Sequence, residues 1–273
     1  MSISAQSELA LLTGKPSVTL PAPAWPMVGD LEVAWMEDVV RSGQWSWYGP
    51  HEREFSTEFA AFTGAKYCML LSNGTVTLQC ALQGVGVTPG DEVIVPALTW
   101  CATAQAAIDI GANVVLVDID PETYCIDPQA IEAAITEKTK AIVPVHLYGC
   151  MCDMDAILDL ARRYHLKVVE DVAHQHGGVW RLTTPDGTGN KVAGTMGDAG
   201  SFSFQQSKVL TCGEGGAVIC SDDEVYHVVH SLKHVGWLPD RCTPGHHYGH
   251  NYRGTEMQAV LLRLEEDRRI ELK

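Results

Sequence analysis

Between residues 67 and 171 the chain alternates between short apolar runs and longer stretches with helical spacing. The runs are YCMLLS (67–72), EVIVP (92–96), NVVLVD (113–118), AIVPVHL (141–147) and KVVED (167–171). Helical patterns occupy about 75–86, 100–110, 127–137 and 154–165. Continuous apolar strands joined by amphipathic helices predict an α/β fold with a mainly parallel sheet covered on both faces. A helix is expected at 31–42, followed by an aromatic loop, GQWSWYGP (43–50). After residue 195 the pattern changes to two closely spaced strands within 201–220. TTPDGTGNK (183–191) reads as an exposed loop by composition. The Pro-rich start, with PAPAWP at 21–26, reads as an arm over 1–30. The main domain then spans 31–254, and 255–273 is a long amphipathic helix with no stop signal before the last residue.

A content of 46% hydrophobic and 19% charged residues is enough for a sizeable core. The 34 acidic and 19 basic side chains leave a charge of −15, which argues against nucleic acid and anionic membranes as partners. No apolar stretch is long enough to cross a bilayer, and the N-terminus lacks a basic segment followed by an apolar block. Nine cysteines, an odd number placed mostly in apolar runs, read as reduced thiols of a cytoplasmic protein.

Three stretches carry chemistry. LSNGTVTL (71–78) ends a strand and opens a helix. Backbone N–H groups at such a helix start, with Gly74 permitting close approach, suit a phosphate; a ligand-free cap built from Ser, Asn and Thr is the competing reading. VVEDVAHQHGG (168–178) puts two acids at a strand end, where open α/β sheets hold ligand groups. Consecutive strand residues point to opposite faces, so only one of Glu170 and Asp171 can face a given pocket. His174 and His176 with Asp171 raise a metal site as an alternative, but their spacing is not a zinc signature and further ligands do not stand out. Cys150 and Cys152 read as core or loop cysteines, and no metal is assigned.

The third stretch, SFSFQQSKVLTCGEGGAVIC (201–220), contains only two charged residues, Lys208 and Glu214. A surface lysine in a turn is the ordinary reading. Set among Ser203, Ser207, Thr211 and a Gly-rich return, a lysine instead loses solvation and approaches the neutral amine that attacks carbonyls. A phosphate seat, a strand-end carboxylate and an isolated lysine together fit pyridoxal 5′-phosphate.

Six motifs in order then resemble the DegT/DnrJ/EryC1/StrS family of sugar aminotransferases, from about residue 28 to the end. They are SNGT (72–75), GDEVIVPALTWCATAQA (90–106), PVHLYG (144–149), EDVAHQHGG (170–178), GDAGSFSFQQSKVLTCGEGGAVI (197–219) and GHNYRGTEMQA (249–259). The resemblance implies the large domain of the type I fold of pyridoxal-phosphate enzymes, with a seven-stranded-type sheet flanked by helices. It also implies a smaller C-terminal domain that this chain mostly lacks. By position, Lys208 resembles the Schiff-base lysine and proton-shift base, and Asp171 the partner of the pyridinium nitrogen. Gly74 and Thr75 match the phosphate turn, and Ser203 a further phosphate ligand. Trp100 matches the aromatic residue that stacks on the cofactor; a core tryptophan is the alternative. Asn251 is similar to the asparagine that reaches a partner subunit's cofactor, which implies a homodimer with shared active sites. His174 stands where the family often has Gln, near the cofactor's phenolic oxygen, and the 183–191 loop is longer than usual.

The implied reaction moves an amino group from glutamate or glutamine to a nucleotide-linked keto sugar or a cyclitol ketone. GQWSWYGP resembles the aromatic loop of members acting on carbocyclic substrates, with simple packing as the alternative. A sugar 3-dehydratase has histidine in place of the lysine, so Lys208 argues against that branch. A non-catalytic cofactor-binding or regulatory member is the second reading.

Overall fold

A computed structural model describes residues 24–184, 187–240 and 248–271, together with residues 10, 14–16 and 18–21. Much of the expected arm, residues 185–186 of the expected loop, and Cys242 lie outside the described residues. Seven strands form the main sheet: β1 (Tyr67–Leu71), β2 (Glu92–Pro96), β3 (Asn113–Val117), β4 (Thr139–Ile142), β5 (Lys167–Asp171), β8 (Ala199–Ser203) and β9 (Gly216–Cys220). Their order is β1-β9-β8-β5-β4-β2-β3. β9 alone runs against the others, so the mainly parallel α/β sheet expected from the alternation is the one observed.

Eight helices are described: α1 (Asp30–Ser42), α2 (Pro50–Thr63), α3 (Gly74–Gly84), α4 (Ala102–Asp109), α5 (Pro128–Ala134), α6 (Met154–Tyr164), α7 (Asp223–Lys233) and α8 (Glu256–Glu271). Several starts are set by short acceptors. Asn73 accepts from the amides of Thr75 and Val76, Asp153 from Ala156, and Asp222 from Glu224 and Val225.

Alternation along the strands sorts the core into two layers. Met69, Leu71, Val93, Val95, Ala141 and Val169 pack with α3, α4 and α7 on one face. Their sequence neighbours face the other way: Leu70 joins Phe55, Phe59 and Phe202, while Ile94, Ile142 and Val168 join Ile157 and Leu160 of α6.

The differences from expectation have local causes. β4 stops at Ile142 rather than continuing to 147, because Pro144 has no N–H for the ladder. The chain then turns through a short 3₁₀ segment, Leu147–Gly149, with Tyr148 at φ 53°. Two helices not expected from the sequence, α2 and α7, are held by tertiary burial: Phe55, Phe59 and Val229 are wholly buried, and this outweighs the modest helix propensities of their Phe, Ser, Thr, Val and His residues. The 183–191 segment is not simply a loop. It belongs to an antiparallel pair, β6 (Val179–Thr184) with β7 (Gly187–Val192), pinned to α6 by Trp180 Nε1 and Thr183 N donating to Asp155 (3.0 and 2.7 Å). Turn residues have the same composition in a loop and at a hairpin tip, so composition does not separate the two.

Candidate active site

Four parallel strands, β1, β2, β5 and β8, end at one edge of the sheet, and the segments that follow them line one cavity of about 1060 Å³. β1 leads to Gly74 and Thr75, and β2 to Trp100. β5 brings Asp171 and His174, and β8 brings Ser203 and Lys208. Seven of the eight residues singled out in the sequence thus share one cavity. Asn251 does not line it; it is exposed and pairs with His234 in a short antiparallel bridge.

Register decides between the two acids of β5. Asp171 faces the cavity and is 5% exposed. Its Oδ1 accepts from the Ala173 amide (3.1 Å) and its Oδ2 from the Thr103 hydroxyl (2.9 Å). Burial raises its carboxyl above the usual range, opposed by those two donors and by the nearby His174 and Lys208. Glu170 points to the opposite face and is wholly buried there. Its Oε2 accepts from Gly194 N (2.8 Å) and meets His146 Nε2 at 3.0 Å, and its Oε1 accepts from Met196 N and Gly197 N (both 2.7 Å). A carboxylate so fully occupied anchors the chain after β7 and has no part in the cavity.

Lys208 sits in the loop between β8 and β9. Phe204 N donates to Gly215 O and Gln206 N to Gly213 O (both 2.8 Å), continuing the ladder beyond the strands, and Lys208 N donates to Gln205 O (2.8 Å). The lysine is half-buried. Burial lowers its pKa, and Asp171 partly offsets that shift. Its ammonium has no ion pair among the described residues.

The helix start at α3 is both capped and open. Asn73 takes the Thr75 and Val76 amides (both 3.1 Å), so the capping reading holds for Asn73. Gly74 and Thr75 still line the cavity together with Ser203. A Cβ on Gly74 would lie 2.7 Å from Ser203 Cβ, and one on Gly216 would lie 2.8 Å from the Asn73 carbonyl carbon. These two glycines let the helix start, β8 and β9 close up on one another.

Trp100 is 72% exposed at the cavity, which excludes the core reading. His174 accepts at Nδ1 from the Tyr148 amide (3.4 Å), with the two rings stacked at 5.8 Å. Burial and Lys208 lower its pKa. His176 is turned instead onto the Ser203 carbonyl (3.0 Å) and the Phe202 and Phe204 rings. Among the described residues no group of three His, Cys, Asp or Glu converges as metal ligands.

Thr103 and Tyr148 belong to the site but were not singled out in the sequence. Thr103 lies one helical turn beyond Trp100, which is the one local signal that could have marked it. The GQWSWYGP loop does not line this cavity. Trp47 lies against the Arg253 guanidinium (4.4 Å), and Tyr48 stacks on His234 (4.6 Å) with its hydroxyl 2.7 Å from His230 Nε2.

Comparison with known proteins gives the family. The model of the DegT/DnrJ/EryC1/StrS aminotransferase family matches residues 26–266. The chain belongs to that family. It is 46% identical over 225 residues to the L-glutamine:scyllo-inosose aminotransferase of Streptomyces griseus, covering 80% of this chain and 51% of that protein. Among solved structures it resembles 3-amino-5-hydroxybenzoic acid (AHBA) synthase, with a TM-score of 0.83 and 39% identity over 91% of this chain and 64% of that one. It also resembles NtdA of Bacillus subtilis with bound cofactor PMP, with a TM-score of 0.78 and 31% identity over 90% and 55% of the two chains. The chain spans between 51% and 62% of the length of the first curated family members it matches. No helix among the described residues is long and apolar enough to cross a membrane.

Proposed function

We propose that this chain carries the cofactor site of a pyridoxal-phosphate-dependent aminotransferase that takes its amino group from glutamine and gives it to a cyclitol ketone. The observation that carries the reading is the convergence of Lys208, Asp171, Gly74, Thr75, Ser203, Trp100 and His174 on one cavity. The residues fit that cofactor chemically. A helix start whose Gly74 lines the cavity suits a phosphate, a buried carboxylate suits a protonated ring nitrogen, and an unpaired half-buried lysine suits an aldehyde. Pyridoxal phosphate, when bound, supplies an aldehyde and an electron-withdrawing ring through which an amino group passes from donor to acceptor.

The chain's own residues have separate tasks in this reading. The Gly74 amide and the Thr75 and Ser203 hydroxyls hold the phosphate at the positive end of α3. Asp171 holds a proton on the pyridine nitrogen, a role that needs the ionised carboxylate its two donors favour. Trp100 covers one face of the ring. His174, with Nδ1 occupied by the Tyr148 amide, carries its neutral proton on Nε2 and offers it to the ring oxygen. Lys208, freed of its proton more readily than an exposed lysine, takes up and returns the proton at the reacting carbon.

The glutamine donor and cyclitol acceptor are supported by the name of the S. griseus relative, and AHBA synthase adds a second carbocyclic case. A homodimer completed through Asn251 and a cytoplasmic location belong to the same proposal. The test is the full-length protein with pyridoxal phosphate, glutamine and scyllo-inosose or its 2-deoxy form. Amino-cyclitol formation is expected; cofactor binding without transfer to any cyclitol or keto sugar would favour the non-catalytic reading instead.

A further inference from the structure

The carboxylate of Asp171 is gripped by a second side chain, Thr103, itself 1% exposed on α4. Thr103 Oγ1 lies 2.9 Å from Asp171 Oδ2 and 2.9 Å from Thr99 Oγ1. A hydroxyl has one proton and an ionised carboxylate has none, so the proton arrangement has only one solution. Thr103 donates to Asp171, and Thr99 donates to the Thr103 oxygen. The hydrogen bonds therefore run in one direction, from Thr99 to Thr103 to Asp171. From the other side the Ala173 amide holds Oδ1. With one donor on each oxygen, from two different elements, the carboxylate cannot turn about its own bond without losing a hydrogen bond in a buried setting.

We infer that Thr103 is a positioning residue for the reaction: its hydroxyl, itself held by Thr99, aims the Asp171 carboxylate and sustains its charge. The inference rests on the proposed role of Asp171 at the ring nitrogen. The charged groups acting on Asp171 are His174 and Lys208, and burial opposes ionisation. Thr103 and the Ala173 amide are the direct donors that favour the charged form. Removing the Thr103 hydroxyl leaves burial less opposed and raises the carboxyl further.

The test compares wild type, Thr103→Val, Thr103→Ser and Thr99→Val. Two readouts are needed: the Asp171 carboxyl titration in the ligand-free protein by 13C NMR, and the pyridoxal phosphate Kd by absorbance. Thr103→Val keeps the shape and loses the hydroxyl. It is expected to raise the carboxyl titration by about one unit and weaken cofactor binding about tenfold, the size of one hydrogen bond to a charged group. Thr103→Ser is expected to restore both to within about twofold, and Thr99→Val to shift both in the same direction by less. A Thr103→Val protein that titrates and binds like wild type overturns the inference. So does a Thr103→Ser protein that behaves like Thr103→Val, since the methyl would then be the part that matters. Should Thr103→Val fail to fold, an unshifted titration in Thr99→Val overturns it. A wild-type protein that takes up no pyridoxal phosphate overturns the function and this inference together, whereas the other contrary results leave the function standing.

Discussion

Gly74 and Ser203 are in such close contact that a Cβ on residue 74 would lie 2.7 Å from the Ser203 Cβ. Ser203 Cβ is fixed by a strand buried along its whole length, so no side-chain rotation relieves the clash. Helix propensity favours alanine over glycine by about 1 kcal/mol, whereas overpacking costs about 1–3 kcal/mol. The clash outweighs the propensity. Gly74→Ala is expected to lower the urea midpoint and to weaken pyridoxal phosphate binding at least about tenfold by spreading the helix start away from β8. An unchanged Kd would mean that the phosphate is not held by this helix start and Ser203.

Lys233 and Glu52 form a buried ion pair at 2.6 Å, with both side chains 5% exposed. Glu52 Oε2 also accepts from the Tyr48 amide, tying the GQWSWYGP loop to α2 and α7 (3.1 Å). Lys233→Met leaves the carboxylate buried without its counter-charge and should cost about 3–5 kcal/mol in urea unfolding. The double variant with Glu52→Gln should recover part of that loss. If Lys233→Met unfolds at the wild-type urea concentration, the pair does not hold the loop.

Lys208 should capture pyridoxal phosphate with a distinctive pH dependence. Its folded pKa lies below the ordinary 10.5 because burial penalises the ammonium. The unfolded chain therefore binds more protons between the folded value and 10.5, so this group's contribution to stability rises with pH through that window. Capture needs the neutral amine, so its rate should rise with pH and level off below 10.5. Asp171→Asn removes the negative charge that holds the pKa up, and should move the plateau to lower pH. Stopped-flow growth of the visible absorbance band measures both. A rate that climbs to pH 10.5 as for a free lysine would contradict the buried setting.

The sequence alone reached the sheet class and most of the cavity, because strand–helix alternation and strand-end residues are local signals. The choice between Glu170 and Asp171 was not local: it depends on which face of β5 packs on α6, and only the three-dimensional register settles it. Thr103 was invisible for a similar reason, since a threonine in a small-residue helix looks ordinary and its partner is 68 residues away. The exposure of Trp100 excludes the core position that the sequence alone left as an alternative. The 183–191 stretch reads as a loop by composition because the anchor that pins it within a hairpin, Asp155, lies on a preceding helix. Asn73 carried both readings of its motif, and the structure gives it the cap while leaving Gly74 at the cavity.

Borohydride reduction of the full-length protein loaded with pyridoxal phosphate, followed by peptide mass spectrometry, tests directly whether Lys208 is the residue joined to the cofactor. One pyridoxyl adduct is expected, on the peptide containing Lys208, and none on that peptide in Lys208→Ala. An adduct confined to another lysine, or a wild-type protein that retains no cofactor, would contradict it.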